Sequence, residues 1–210
     1  MSKSFFISFE GGEGTGKSTQ INLLKNYLIK RSFNVFVTRE PGGSDGAESI
    51  RKLLVKGKAN RWDPETETLL MYAARRDNYI RCIKPNLDSG NIVICDRFSD
   101  STRVYQGYVG NVPKEFLINL HKITLGNIDP DLTFLLDLDV QKGLLRASKR
   151  SSYENRFELK GINFHELVRK SYLKLAKEFP RRICVIDALG SAQEVHNKIL
   201  NKILSITKFN

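Results

Sequence analysis

The chain has 210 residues, 40% of them hydrophobic, and its 34 lysines and arginines against 23 acidic residues leave a net charge of +11. That is enough apolar material for one sizeable core, so a single domain over 1–210 is expected. No stretch approaches the length of a membrane-spanning helix, and the opening "MSKSFFISFE" lacks the apolar run of a secretion signal, which predicts a cytoplasmic protein with no membrane partner. The cysteines, Cys82, Cys95 and Cys184, have no metal-ligand spacing and sit among apolar residues, so buried, reduced thiols are expected. The basic excess has three readings: a nucleic-acid surface, plain solubility, or a lining for small phosphorylated ligands. The first is disfavoured, because no aromatic-rich motif for RNA or single strands accompanies the charge.

Short runs rich in Val, Ile and Phe end at Phe9, Thr38, Cys95, Leu136 and Ile186, too short for helices and read as buried strands. Helical periodicity covers 17–31, 65–88, 113–126, 163–179 and 191–207. The alternation predicts an α/β chain with a parallel sheet covered on both faces. The polar stretch "RSSYENRFELKG" is expected to be a mobile flap, with a lid over about 146–161. Ligands of such a sheet collect outside the carboxyl ends of its strands. Charged residues stand directly after the runs there: Glu10, Arg39, Asp96 with Arg97, Asp137 with Asp139, and Asp187.

After the first run, "GGEGTGKS" fits the phosphate-loop pattern G-x-x-x-x-G-K-[ST] in its required strand-to-helix context. Gly11, Gly12, Glu13, Gly14, Thr15 and Gly16 turn successive N–H groups inward as an anion nest at a helix N-terminus. Lys17 then serves the β- and γ-phosphates as a point charge, Ser18 ligates Mg²⁺, and Thr19 completes the run. Nucleoside triphosphate binding is predicted. A transferase needs a second anion site facing the first, because phosphoryl transfer is catalysed by positioning and charge neutralisation. Asp96 is placed to hold Mg²⁺ through water. Arg39 and Arg97 are either surface ion pairs or the holders of an acceptor monophosphate. Glu10 is either a turn carboxylate or an acceptor from a sugar hydroxyl. Arg146, Lys149 and Arg150 fall on one face of a helix leading into the flap, with Arg156 inside it. They are a solvated face or the cations of a closing lid, and the second reading is preferred because the loop itself offers no cation beyond Lys17.

Six motifs, "FEGGEGTGKST", "TREPGGS", "LLMYAARRDNYIRCIKP", "CDRFSDSTRVYQG", "DPDLTFLLDLD" and "RASKRSSYENRFE", together resemble the thymidylate kinases of the bacterial kind over nearly the whole chain. The resemblance implies the three-layer fold of phosphate-loop nucleoside monophosphate kinases, with a five-stranded parallel sheet and a short lid. It implies transfer of the ATP γ-phosphoryl group to dTMP, giving dTDP, with Mg²⁺, in a homodimer without nucleic acid. By resemblance the ATP site is Gly11 to Thr19, and Glu10 meets the 3′-hydroxyl or the magnesium shell. Arg39 and Arg97 hold the acceptor phosphate, Arg75 reads the thymine edge with Ser101 and Thr102 nearby, and Tyr105 crowds the 2′ position beside Gln106. Arg150 and Arg156 are the lid arginines that join Lys17 and Arg97 in catalysis. The chain departs from the family where a phenylalanine usually stacks on the base: Met71 stands there, followed by Tyr72. Asn155 replaces a frequent aspartate. The alternatives are a kinase for another nucleoside monophosphate and a basic phosphate-loop ATPase that binds nucleic acid.

Overall fold

The computed structural model describes residues 4–58, 60–148, 156 and 160–206. Strands β1 (Phe5–Glu10), β2 (Val35–Arg39), β3 (Ile92–Asp96), β4 (Leu132–Asp137) and β5 (Ile183–Asp187) form one parallel sheet in the order β2-β3-β1-β4-β5. Successive side chains of a strand point to opposite faces, so each inner strand feeds two cores. Ile7, Phe9, Ile92, Ile94, Phe134 and Leu136 pack under α1 (Lys17–Lys30) and α9 (Ala192–Leu204). Phe6, Val93 and Cys95 face Tyr72 of α3 (Pro64–Asn78), Ile83, Phe98, and Leu117 and Leu125 of α6 (Lys114–Leu125). Leu135 and Ile183 meet Val168, Tyr172 and Leu175 of α8 (Ile162–Glu178). Covered on both faces, the strands need the unbroken apolar runs by which they were predicted.

Each strand runs one residue past its predicted end, because the ladder continues through Arg39 opposite Asp96 and Asp137 opposite Asp187. Glu10, Arg39, Asp96, Asp137 and Asp187 of the charged rim thus belong to the strands themselves, while Arg97 and Asp139 follow them. The predicted helix 65–88 is three pieces: α3, a π-helical turn (Tyr79–Ile83) and α4 (Lys84–Asp88). Pro85 has no N–H to offer the Arg81 carbonyl, and the Asn86 amide instead reaches the Cys82 carbonyl at 2.9 Å. The predicted set omitted α2 (Asp45–Val55) and α5 (Ser99–Thr102) with its π-helical continuation (Arg103–Val109). The α5 segment buries Ser99, Asp100, Thr102 and Gln106 with Val104, so no apolar stripe marks it, whereas α2 is amphipathic, with Ala47, Leu54 and Val55 buried, and is simply missing from the predicted set. The helix leading into the flap is α7 (Val140–Ser148), which carries Arg146, whereas Lys149 and Arg150 lie outside the described residues.

The three cysteines are free, but only Cys95 is buried. Cys184 lies on an edge strand, and half-buried Cys82 donates its thiol to the Gly43 carbonyl at 3.3 Å. Among the described residues no helix is long and apolar enough to cross a membrane.

Candidate active site

Between β1 and α1 the chain turns with two positions that leave no room for a side chain, Gly11, where a Cβ would lie 2.5 Å from the Leu136 carbonyl oxygen, and Gly14. Gly14 has φ +67°, and a Cβ there would lie 1.9 Å from the Gly143 carbonyl oxygen of α7. Gly16, in the left-handed region at φ 92°, starts α1 without any side-chain cap, and the first turn has no acidic residue. By contrast, Asp63 caps α3 and a Ser191–Glu194 capping box closes α9. The first amides of α1 therefore keep their positive end for an anion.

Lys17 folds back over this turn, donating to the carbonyls of Gly11 at 3.2 Å and Gly12 at 2.9 Å. Burial, with Arg97 nearby, holds its pKa below the usual lysine value. At the same end Ser18 donates to Asp96 Oδ2 at 3.2 Å. One hydroxyl and one carboxylate, both hard oxygen donors, fit a Mg²⁺ ion whose remaining ligands are phosphates and water. Among the described residues no cluster of three His, Cys, Asp or Glu stands ready to hold a metal. Thr19 is exposed on α1 and does not line the cradle.

The cradle opens into a cleft lined by Glu13, Gly14, Thr15, Gly16, Lys17, Ser18, Arg39, Glu40, Arg51, Asp96 and Arg97. A second cleft shares Glu13, Glu40, Arg51 and Arg97 with it and continues past Met71, Arg75, Phe98, Ser101, Thr102, Tyr105 and Gln106. Two chambers thus meet at two arginines and two glutamates. Arg97, at φ 68°, donates to Ser101 at 3.2 Å, Tyr172 at 3.1 Å and Glu13 at 2.9 Å. Arg39 sits at the rim, paired with Glu48 at 3.2 Å and half-exposed.

At the far end Arg75 is buried and paired with Glu40 at 2.6 Å. Its Nη2 donates to the Phe98 carbonyl at 3.2 Å and to Thr102 at 3.0 Å, and the guanidinium stacks on Tyr72 at 4.7 Å. Its Nη1 has no partner among the described residues. A buried donor left so is costly, and this one belongs to a residue lining the cleft, where a ligand carbonyl would satisfy it. Burial raises the Glu40 pKa to about 6 against the pull of Arg75.

Besides Thr19, three residues expected at the site lie elsewhere. Glu10 is wholly buried: it accepts from the Phe98 and Ser101 amides, the Ser101 hydroxyl at 2.6 Å and Tyr172 at 2.8 Å. It shapes the Arg97 loop and lines neither cleft. Burial, then neighbouring Asp100, raises its pKa. Tyr72 turns away from the second cleft toward His121, at 3.4 Å, and supports Arg75 from behind, so Met71 is the one that faces the ligand space. Arg156 is 1% exposed and bound to Glu67 and to the carbonyls of Leu54 and Lys58, away from the phosphate cradle. Two residues that the sequence reading did not assign to the acceptor side, Arg51 and Glu40, line both clefts. Arg51 was missed along with α2. Glu40 stands beside Arg39 in "TREPGG", and its adjacency to a strand end was the signal.

A phosphate loop facing a second, base-sized cleft across shared arginines defines a nucleoside monophosphate kinase. The family model "Thymidylate kinase" matches residues 9–199. Thymidylate kinase of Caulobacter vibrioides is 55% identical over 188 residues, covering 90% of each chain, and that of Bartonella quintana is 45% identical over 200 residues, 94% of each. The crystal structure of thymidylate kinase from Ehrlichia chaffeensis superimposes with a TM-score of 0.78 at 34% identity, over 95% of this chain and 98% of that one. The chain belongs to the thymidylate kinase family.

Proposed function

We propose that the protein transfers the γ-phosphoryl group of ATP to dTMP, giving dTDP. The observation that carries this reading is the meeting of the two clefts at Arg97 and Arg51, with Lys17 on the same side. ATP lies with its phosphates in the loop at the N-terminus of α1. dTMP enters the second cleft base first, its carbonyl toward Arg75 Nη1, Met71 against the ring and Tyr105 beside the sugar, which brings its phosphate to Arg97, Arg51 and Arg39. Glu13, at the junction and paired with Arg97, is the carboxylate nearest a sugar hydroxyl there, a role Glu10 cannot fill from inside the core.

Catalysis then follows from placement. Lys17 and the loop amides neutralise the donor phosphates, and the acceptor arginines hold the attacking oxygen in line. Ser18 and Asp96 would hold Mg²⁺, which supplies charge neutralisation between the phosphates. Arg150 is the remaining candidate for positive charge over the moving group, since Arg156 is buried in an ion pair with Glu67. A homodimer fits the exposed Leu53, Leu69, Ile118 and Ile123 on α2, α3 and α6, which pack side by side. The coupled assay of ADP formation with a panel of monophosphates tests the reading. Strong stimulation by dTMP is the expected result. Stimulation by polynucleotide with no monophosphate effect would favour an ATPase instead.

A further inference from the structure

Arg75 is not alone among the polar groups of the second cleft in being fixed from behind. Gln106, on the π-helical segment after α5, is buried and lines the cleft beside Thr102 and Arg75. Its Nε2 donates to Glu67 Oε1 at 2.7 Å, and the other oxygen of Glu67 accepts from Arg156. Glu67 lies on α3, one turn before Met71, and is itself buried. Arg156 is anchored in turn by the carbonyls of Leu54 and Lys58, both at 3.1 Å.

A carboxylate only accepts hydrogen bonds, whereas a carboxamide donates at one end and accepts at the other. With both oxygens of Glu67 taken by donors, the NH₂ of Gln106 is committed to Glu67, and its carbonyl oxygen is the end left for the cleft. From this we infer that Glu67 is a specificity-positioning residue: it sets the carboxamide of Gln106 so that the acceptor base meets a hydrogen-bond acceptor. That sense matches a pyrimidine imide, whose ring nitrogen carries a hydrogen, and opposes cytosine, whose ring nitrogen at the same place is an acceptor. Arg75 Nη1, a donor, asks for a carbonyl beside it. The pair reads donor then acceptor, the complement of thymine or uracil. This inference rests on the proposed dTMP reading and deepens it.

Glu67→Gln is the informative change, because it keeps the volume and removes one acceptor. The new carboxamide would give its oxygen to Arg156, the charged donor, and turn its NH₂ to Gln106, which must then flip and present NH₂ to the cleft. The expected result is a fall of about ten- to a hundredfold in the kcat/KM ratio of dTMP over dCMP, the cost of mismatching one buried hydrogen bond. The loss should appear mainly as a raised KM for dTMP. Arg156→Lys, which keeps a cation on Glu67, should lower the melting temperature and leave the ratio unchanged. An unchanged ratio in folded Glu67→Gln overturns the inference, since a merely structural ion pair would change stability alone. Should that variant not fold, Gln106→Leu decides: it leaves the Glu67–Arg156 pair intact, and retained dTMP preference would refute the role. Wild-type protein without dTMP-dependent ADP formation would instead reject the underlying kinase reading.

Discussion

Lys17 is held by two carbonyl groups of its own loop, so its ammonium is already aimed before a nucleotide arrives. Such preorganised charge is what removal should expose. Lys17→Ala is expected to lower kcat by about 10²–10³-fold, the scale for losing one charge-stabilising donor, with an unchanged circular dichroism spectrum. Glu40 offers a pH test. It is the charged anchor of Arg75, and its pKa of about 6 means that it takes up a proton as the pH falls through that value. Arg75 then loses its anionic partner. Binding of thymidine, which has no titrating phosphate, should weaken by about tenfold between pH 7.5 and pH 5, the scale of a hydrogen bond to a charged group. A flat profile by calorimetry would show that Arg75 does not need the charge of Glu40.

At the scale of elements, the phosphate loop is shaped by what it packs against. Gly14 touches the backbone of α7 at Gly143, so the loop and the helix leading into the flap are set together. Gly14→Ala must displace one of them and also strain a left-handed backbone. A loss of about 1–3 kcal/mol, measured by urea unfolding, together with weakened ATP binding, is expected. No change in either would mean that the two elements move independently. The elements that the sequence revealed are those with an apolar run or stripe: the continuously buried β1, β3 and β4, the partly covered edge strands β2 and β5, and the helices packed on them. The hidden ones, α2 and the α5 segment, add polar anchors to a few apolar contacts, Ala47, Leu54 and Val55 in α2 and Val104 after α5. Arg51 bonds the Pro41 carbonyl at 2.5 Å, and Asp100 is buried between Arg103 and Arg182. Hydrophobic periodicity cannot register such contacts, and α2 carries Arg51 into both clefts.

Across the whole molecule, the residues lining the two clefts come from strand ends, the phosphate loop, helices α1, α2 and α3 and the α5 segment, far apart in sequence. Lys17 and Arg97 could be expected at the strand ends from the phosphate-loop motif and the charged rim, whereas Met71 and Thr102, which line the second cleft, were expected there only through the family resemblance. The burial of Glu10 and Arg156 could not be expected, because a charged residue in a motif reads the same whether it faces ligand or core. Only the partners distinguish them: Phe98, Ser101 and Tyr172 around Glu10, and Glu67 against Arg156. The apolar positions left exposed on α2, α3 and α6 have the opposite ambiguity. If they form the dimer contact, the protein should sediment at twice the mass of one chain, and Leu69→Glu with Ile123→Glu should reduce it to a monomer. Sedimentation as a monomer before substitution would remove that surface from the account. The central claim is that donor and acceptor nucleotides meet head to head across Arg97 and Lys17. A pentaphosphate joining adenosine to thymidine tests it most directly. One bound molecule per chain should compete with ATP and with dTMP alike, whereas displacement of only one of them would show that the two clefts do not share a reacting centre.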